Sequence, residues 1–367
     1  MRLAFVTSTP LDVVRGSGTF HGIATLGHAL VPLVCEVEFI TPRLRLPIYT
    51  LERLWFNEQL RWRDFSGFDA VVGFDMDGYR IAGVYGRPHI ASIKGVIADE
   101  LRFERGLTRQ TLALQAACER RHVRRADLVI TTSRYAAGRL QSLYGLAEMP
   151  RIVPEAIDLA GWRERFARNP AAPNPDKFTV LSVCRFYPRK RLELLLEAAA
   201  RLRGRIPELD IRIVGGGPEA SRLRRIWREK RLEATVHWLG DVSAEALARE
   251  YQRCDVFALP SVQEGFGIVF LEAMAAGKPI IAARAGAAPE VVAHGLLAEP
   301  EDAESLAEAI ARLHGDRALG RSLAESGLRQ VEQFDAPRVA RAFLEEIRKA
   351  GTGLEPCPTG GGGRSRR

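Results

Sequence analysis

Short apolar or β-branched runs alternate with amphipathic helical stretches along almost the whole 367-residue chain, and this alternation restricts the possible folds more than any other feature. Strands are expected at residues 3–6, 34–40, 70–73, 90–93, 128–132 and 152–153, then at 179–183, 211–215, 236–239, 256–259 and 280–283. Between them apolar residues recur at three- and four-residue intervals, as in 192–202 and 223–230, the spacing of one helix face. Strand and helix alternating at this pitch build parallel sheets flanked by helices.

The pattern breaks once, at Asn169-Pro170-Ala171-Ala172-Pro173-Asn174-Pro175-Asp176, where the prolines can continue neither a helix nor a central strand. A chain of this length also exceeds what one hydrophobic core supports. The expectation is therefore α/β, with two Rossmann-like, doubly wound parallel-sheet domains facing across a cleft. The expected divisions are residues 1–168, a linker at 169–177, a second domain at 178–335, and a helix at 336–350 that packs back on the first domain. Residues 351–367, with Gly360-Gly361-Gly362-Gly363 and a terminal Arg364-Ser365-Arg366-Arg367, read as a disordered tail.

Composition narrows the class. Hydrophobic residues make up 46% and charged residues 27%, which suits a globular protein and excludes a disordered chain or a coiled coil. No stretch approaches the roughly 18 apolar residues of a spanning helix. The start of the chain turns polar after one strand-like run, unlike a secretory signal, so a cytoplasmic location is expected. Five separate cysteines, Cys35, Cys118, Cys184, Cys254 and Cys357, give neither a disulfide framework nor zinc-ligand spacing. The net charge of +8 comes almost entirely from arginine, since six of the 53 basic residues are lysine, and it suits anionic partners without choosing among them.

The most informative stretch runs from Pro260 to Pro279: Pro260-Ser261-Val262-Gln263-Glu264-Gly265-Phe266-Gly267-Ile268-Val269-Phe270-Leu271-Glu272-Ala273-Met274-Ala275-Ala276-Gly277-Lys278-Pro279. Helix formers span 268–276, Gly277 suits the left-handed position past a helix end, and Pro279 stops continuation. Glu264 is then in a loop at a strand's carboxyl end and Glu272 in the helix. Gly265 and Gly267 let the backbone approach a ligand, so the amides of Phe266, Gly267 and Ile268 form an anion site at the positive end of the helix. A carboxylate does not bind phosphate, but it accepts bonds from hydroxyls. Two carboxylates beside an amide cradle suit a diphosphate with hydroxyl-bearing groups at both ends, the layout of a nucleotide sugar. The plainer reading makes Glu264 a helix cap and Glu272 a solvated residue. Arg185 and Lys190, after the strand at 179–183, bring cations to the same place, whereas Arg189 and Arg191 read as ordinary surface charges.

Arg185…Lys190, Ile213-Val214-Gly215-Gly216-Gly217-Pro218-Glu219, Leu239-Gly240, Glu264 and Glu272 with seven residues between, and Gly286-Ala287-Ala288-Pro289-Glu290-Val291-Val292 follow in that order. Together they resemble the donor half of a retaining glycosyltransferase of the GT-B fold, family 4. The resemblance is specific over residues 178–316 and looser before, where Gly16-Ser17-Gly18 and Val153-Pro154-Glu155-Ala156-Ile157-Asp158 echo the family. It implies that Arg185 and Lys190 hold the donor diphosphate and stabilise the leaving group. Glu264 would bond the sugar hydroxyls beside the backbone of Gly265, Phe266 and Gly267, and Glu272 the ribose. The loop from Gly240 would lie against the base, and Gly16 and Gly18 would approach the phosphates. It further implies a nucleotide-diphosphate sugar as donor and a carbohydrate or lipid-linked acceptor in glycan synthesis. No cofactor, obligatory metal or nucleic acid is expected.

The first half departs from the family pattern. Where many relatives carry a histidine near the reacting centre, this chain has Ser92-Ile93-Lys94-Gly95, which makes Lys94 an acceptor-side candidate together with His21, Asp99 and Glu100. Asp99 and Glu100 read equally well as acids at a helix start. Asp75-Met76-Asp77 has the letters of a metal pair but lies in the wrong domain, and reads as structural or acceptor-side. Residues 51–63 mix aromatics and arginines at helical spacing, which fits peripheral contact with an anionic membrane or plain core packing. Two other functions fit parts of the sequence. Gly215-Gly216-Gly217-Pro218-Glu219-Ala220 with Asp241 beyond matches a dinucleotide fingerprint and suggests an NAD-dependent oxidoreductase, but leaves Glu264, Glu272 and Arg185 unexplained. A non-catalytic nucleotide-sugar-binding protein would retain the same donor residues.

Overall fold

A computed structural model describes residues 1–9, 18–33, 36–44, 46–84 and 86–350. The first sheet contains β1 (Arg2–Val6), β2 (Glu36–Ile40), β3 (Ala70–Phe74), β4 (His89–Ile93), β5 (Leu128–Thr131) and β6 (Arg151–Ile152), in the order β2-β1-β3-β4-β5-β6. The second contains β7 (Phe178–Val183), β8 (Leu209–Val214), β9 (Val236–Gly240), β10 (Val256–Leu259), β11 (Ile280–Ala283) and β12 (Leu296–Ala298), in the order β12-β11-β10-β7-β8-β9. Every pairing is parallel.

The central strands explain the arrangement. β3, β4, β7, β10 and β11 are buried at every residue, so both faces need helices over them; continuous apolar runs encode β3, β10 and β11, while β4 and β7 also bury His89, Ser92, Thr179 and Ser182. In each sheet the strand order reverses beside the first strand, between β1 and β3 and between β7 and β10. Loops leaving such neighbouring strands diverge and open a crevice at their carboxyl ends. The sequence expectation did not include β12, a three-residue edge strand between Gly295 and Glu299 that is too short to show a period.

The domain boundary differs from the expected one. Helix Leu159–Arg168, assigned from sequence to the first domain, packs in the second: Leu159 and Trp162 join the core containing Tyr251, Phe270 and Leu271, and the Trp162 and Tyr251 rings lie 5.8 Å apart. The chain therefore crosses between domains before Leu159. The prolines at 170–175 mark only the surface turn into β7. Helix Ala336–Ala350 returns to the first sheet, where Val339, Ala340, Phe343, Leu344 and Ile347 pack with Phe5, Ile23 and Leu26. Gly16, Cys35, Cys357 and the expected tail at 351–367 lie outside the described residues. Among the described residues no helix is long and apolar enough to cross a membrane.

Candidate active site

The carboxyl ends of the two sheets face each other across a cavity of about 660 Å³, lined by both domains. On the second domain the chain leaves β7 through a short 3₁₀ turn, Pro188–Lys190. Lys190 reaches across to Glu264, and its ammonium pairs with the Glu264 carboxylate while both side chains are largely buried. Glu264 follows β10. Its backbone is fixed from the neighbouring loop, where the Ala287 amide donates to the Glu264 carbonyl at 3.0 Å and a side chain at Gly286 would come within 2.7 Å of the Glu264 nitrogen. Gly267, at φ 91°, starts helix Ile268–Ala275, and the backbone from Gln263 to Val269 forms one wall of the cavity. Lys190, Glu264 and the helix start thus meet at one point, as the sequence pattern implied.

The other donor-side residues are more dispersed. Arg185 lines the cavity, half exposed, and bonds Asp241 at 3.2 Å. Phe266 contributes backbone, since its ring is buried 5.5 Å from that of Phe334. Gly18 lines the cavity at the start of helix Gly18–Leu30. Gly240 ends β9 in a left-handed conformation (φ 68°) and is not part of the wall. Glu272 lies deeper, away from the cavity wall: its carboxyl is buried and accepts the Tyr251 hydroxyl at 2.7 Å, and burial pushes its pKa up to about 7. The Tyr251 hydroxyl engages one carboxyl oxygen of Glu272, Oε2.

On the first domain, Lys94 and Glu100 line the cavity. The Lys94 ammonium bonds Glu155 at 3.0 Å with both side chains buried, and lies 5.9 Å from the centre of the Phe74 ring. Asp99 does not reach the cavity. It is fully buried and accepts from the Tyr135 hydroxyl at 2.5 Å and from Arg102 and Arg139 at 2.9 Å. It therefore ties helix Ile97–Glu100 to helix Arg134–Tyr144, which corrects the acceptor-side assignment. His21 is exposed on helix Gly18–Leu30, its ring centre 5.2 Å from that of Phe20 with the planes tilted by 55°, and is likewise not on the wall. Asp77 is enclosed by Arg53, Asn57 and Ser8, while Asp75 of the same pair faces the cavity and accepts the Lys94 amide at 2.8 Å. Among the described residues no three His, Cys, Asp or Glu side chains gather into a cluster of the kind that holds a metal ion.

Sequence reasoning missed several residues of this region. Arg189, read as a surface charge, is largely buried in the cavity wall, where it bridges to Glu100 of the first domain at 3.1 Å and lies over the Tyr187 ring at 4.7 Å. Glu290 accepts the amides of Arg134 and Tyr135 at 2.9 and 2.7 Å, so a carboxylate of the second domain caps a helix of the first. The Thr132 and Ser133 hydroxyls donate to the Gly265 carbonyl at 3.1 and 2.8 Å. A side chain at Gly265 would strike the Lys94 carbonyl at 2.7 Å, which explains glycine here as a close approach between domains. Arg189 had a signal in its register with Lys190; Glu290 had only its place in a motif. The glycine run at 215–217 has a packing role: a side chain at Gly215 would meet the Cys184 carbonyl at 2.1 Å, and one at Gly217 the Phe186 nitrogen at 2.7 Å.

Two doubly wound domains closing on a cavity with a lysine–glutamate pair at the helix start define a GT-B architecture. Solved structures agree: the chain superimposes on sucrose-phosphate synthase from Thermosynechococcus elongatus with TM-score 0.80 at 23% identity, over 95% of this chain and 98% of that one. HepE of Anabaena, solved with UDP and glucose, gives TM-score 0.70 at 19% identity over 94% and 98%. The family model for glycosyl transferases group 1 matches residues 164–330, and that for glycosyltransferase family 4 matches 31–160. A D-inositol 3-phosphate glycosyltransferase of Rhodococcus erythropolis is 33% identical over 353 residues, 91% of this chain and 76% of the relative. A GDP-mannose-dependent alpha-(1-6)-phosphatidylinositol monomannoside mannosyltransferase of Mycobacterium tuberculosis is 34% identical over 209 residues, 52% of this chain and 53% of the relative, so the match spans about half the length of that protein. The chain belongs to the family 4, group 1 glycosyltransferases.

Proposed function

We propose that the protein transfers a sugar from a nucleoside-diphosphate donor to a hydroxyl acceptor, with retention of anomeric configuration. The observation that carries this reading is the Lys190–Glu264 pair beside the start of helix Ile268–Ala275. Breaking the bond from the anomeric carbon to phosphate leaves negative charge on the diphosphate and oxocarbenium character on the sugar. Lys190, Arg185 and the amides at the helix start can take up the first. Glu264 can accept bonds from the sugar hydroxyls next to the second. The diphosphate would enter where Lys190 exchanges its carboxylate partner for a phosphate. Retention follows from the family resemblance of the motifs, and the configuration of the first-formed product by proton NMR tests it.

The oxidoreductase reading loses its main support, since the glycine run is occupied in packing against residues 184–186 and Asp241 bonds Arg185. Leu51, Trp55 and Trp62 are exposed beside Arg61, which supports peripheral contact with an anionic membrane, testable by cosedimentation with vesicles containing phosphatidylglycerol. The decisive experiment for the function is a screen against UDP-, GDP- and ADP-sugars scoring nucleotide release. Release by the wild type and none by Glu264→Ala, with the variant folded, is the expected result. Equal turnover by both would refute the role of Glu264.

A further inference from the structure

The acceptor half of the cavity has a charge balance of its own. Among the described residues its cations are Arg53 and Lys94 from the first domain, and Arg189 crosses to it from the second. Each is already matched. The Arg53 guanidinium gives its Nε to the Ser8 hydroxyl at 3.0 Å, one Nη to Gln115 at 3.0 Å and the other to Asp77 at 3.3 Å, so each of its three nitrogens is engaged and its charge is paired with Asp77. Lys94 is held by Glu155 at 3.0 Å, and Arg189 by Glu100 at 3.1 Å.

The carboxylates outnumber them. Asp75 and Glu104 also line this half, and neither has a cationic side chain within ion-pair distance among the described residues. The Asp75 carboxylate receives backbone amides, those of Lys94 at 2.8 Å and Gly95 at 3.4 Å. The remaining wall is hydroxyl and amide: Tyr49, Thr50, Thr108, Thr111 and Gln115. Among the described residues the wall has two surplus carboxylates and no cation without a carboxylate partner, which repels a phosphate monoester and offers acceptors for hydroxyl hydrogens.

We propose that this half of the cavity takes an uncharged polyhydroxyl group and discriminates against its phosphorylated form. The inference rests on the reading of the cavity as a glycosyltransferase site, and it departs from the D-inositol 3-phosphate glycosyltransferase to which the chain is similar. Arg53 and Gln115 occupy each other, Asp75 and Glu104 face the ligand, and selection is by charge as well as shape.

The test uses paired probes, myo-inositol with 1D-myo-inositol 3-phosphate and glucose with glucose 6-phosphate. Each is titrated calorimetrically into the full chain saturated with UDP or GDP. The expected result is tighter binding of the uncharged member of each pair by about tenfold or more at low salt, with the gap narrowed in Glu104→Lys. Equal or tighter binding of the phosphorylated members, or a gap unchanged in Glu104→Lys, would overturn the proposal while leaving the donor assignment intact. Failure of the protein to bind either nucleotide diphosphate would instead reject the glycosyltransferase reading on which the proposal stands.

Discussion

Lys190 and Glu264 neutralise each other in the cleft wall, so any diphosphate must compete with a carboxylate for the ammonium. Removing that competition while keeping the shape gives a sharp expectation. Glu264→Gln should bind UDP or GDP as tightly as the wild type or about three- to tenfold more tightly, while transfer is lost. Calorimetry alongside nucleotide-release assays reads both. Glu272 carries a different prediction. Burial raises its pKa from 4.5 to about 7, so between those values the folded protein holds a proton that the unfolded chain releases. Stability from this group is therefore full below pH 4.5 and falls as pH rises to 7. Glu272→Gln should remove part of that decline, on the order of 1–3 kcal/mol between pH 5 and 8, in denaturant titrations at the two pH values.

Most strands were legible because buried parallel strands read as short, largely apolar or β-branched runs, and β10 and β11 stand out for this reason. Helix Leu159–Arg168 was legible as a helix but not as a member of the second domain, because the direction its Trp162 faces is set by Tyr251, far away in sequence. The donor side of the site was readable where local spacing carries it: Arg185, Lys190, Glu264 and the paired glycines all sit in two loops. The acceptor side was not. Arg53, Asp75 and Gln115 come from separate elements, and Asp99 gives no sign in sequence that Arg102, Arg139 and Tyr135 enclose it. Glu290 shows the same limit, since its partners are amides of a helix more than 150 residues earlier. Because the loop it belongs to also supports the Glu264 carbonyl, closure of the domains and position of Glu264 are mechanically linked. Glu290→Ala should leave the domains folded but loosen their contact, raising the radius of gyration in small-angle scattering and lowering kcat/KM by about tenfold. Unchanged values for both would remove Glu290 from this role.

At the scale of the whole molecule, helix Ala336–Ala350 returns the chain to the first sheet and joins the two domains a second time. Phe343 is fully buried there, with its ring 6.4 Å from that of Phe5. Phe343→Ala should cost about 3–5 kcal/mol and lower Tm accordingly. The account as a whole depends on the nucleoside diphosphate lying between the two sheets, held by Arg185 and Lys190. Calorimetric titration of UDP and GDP into wild type, Arg185→Ala and Lys190→Ala measures this directly. The account predicts binding of at least one nucleotide by the wild type and a loss of about tenfold or more in each variant. Identical affinities in all three folded proteins would contradict it.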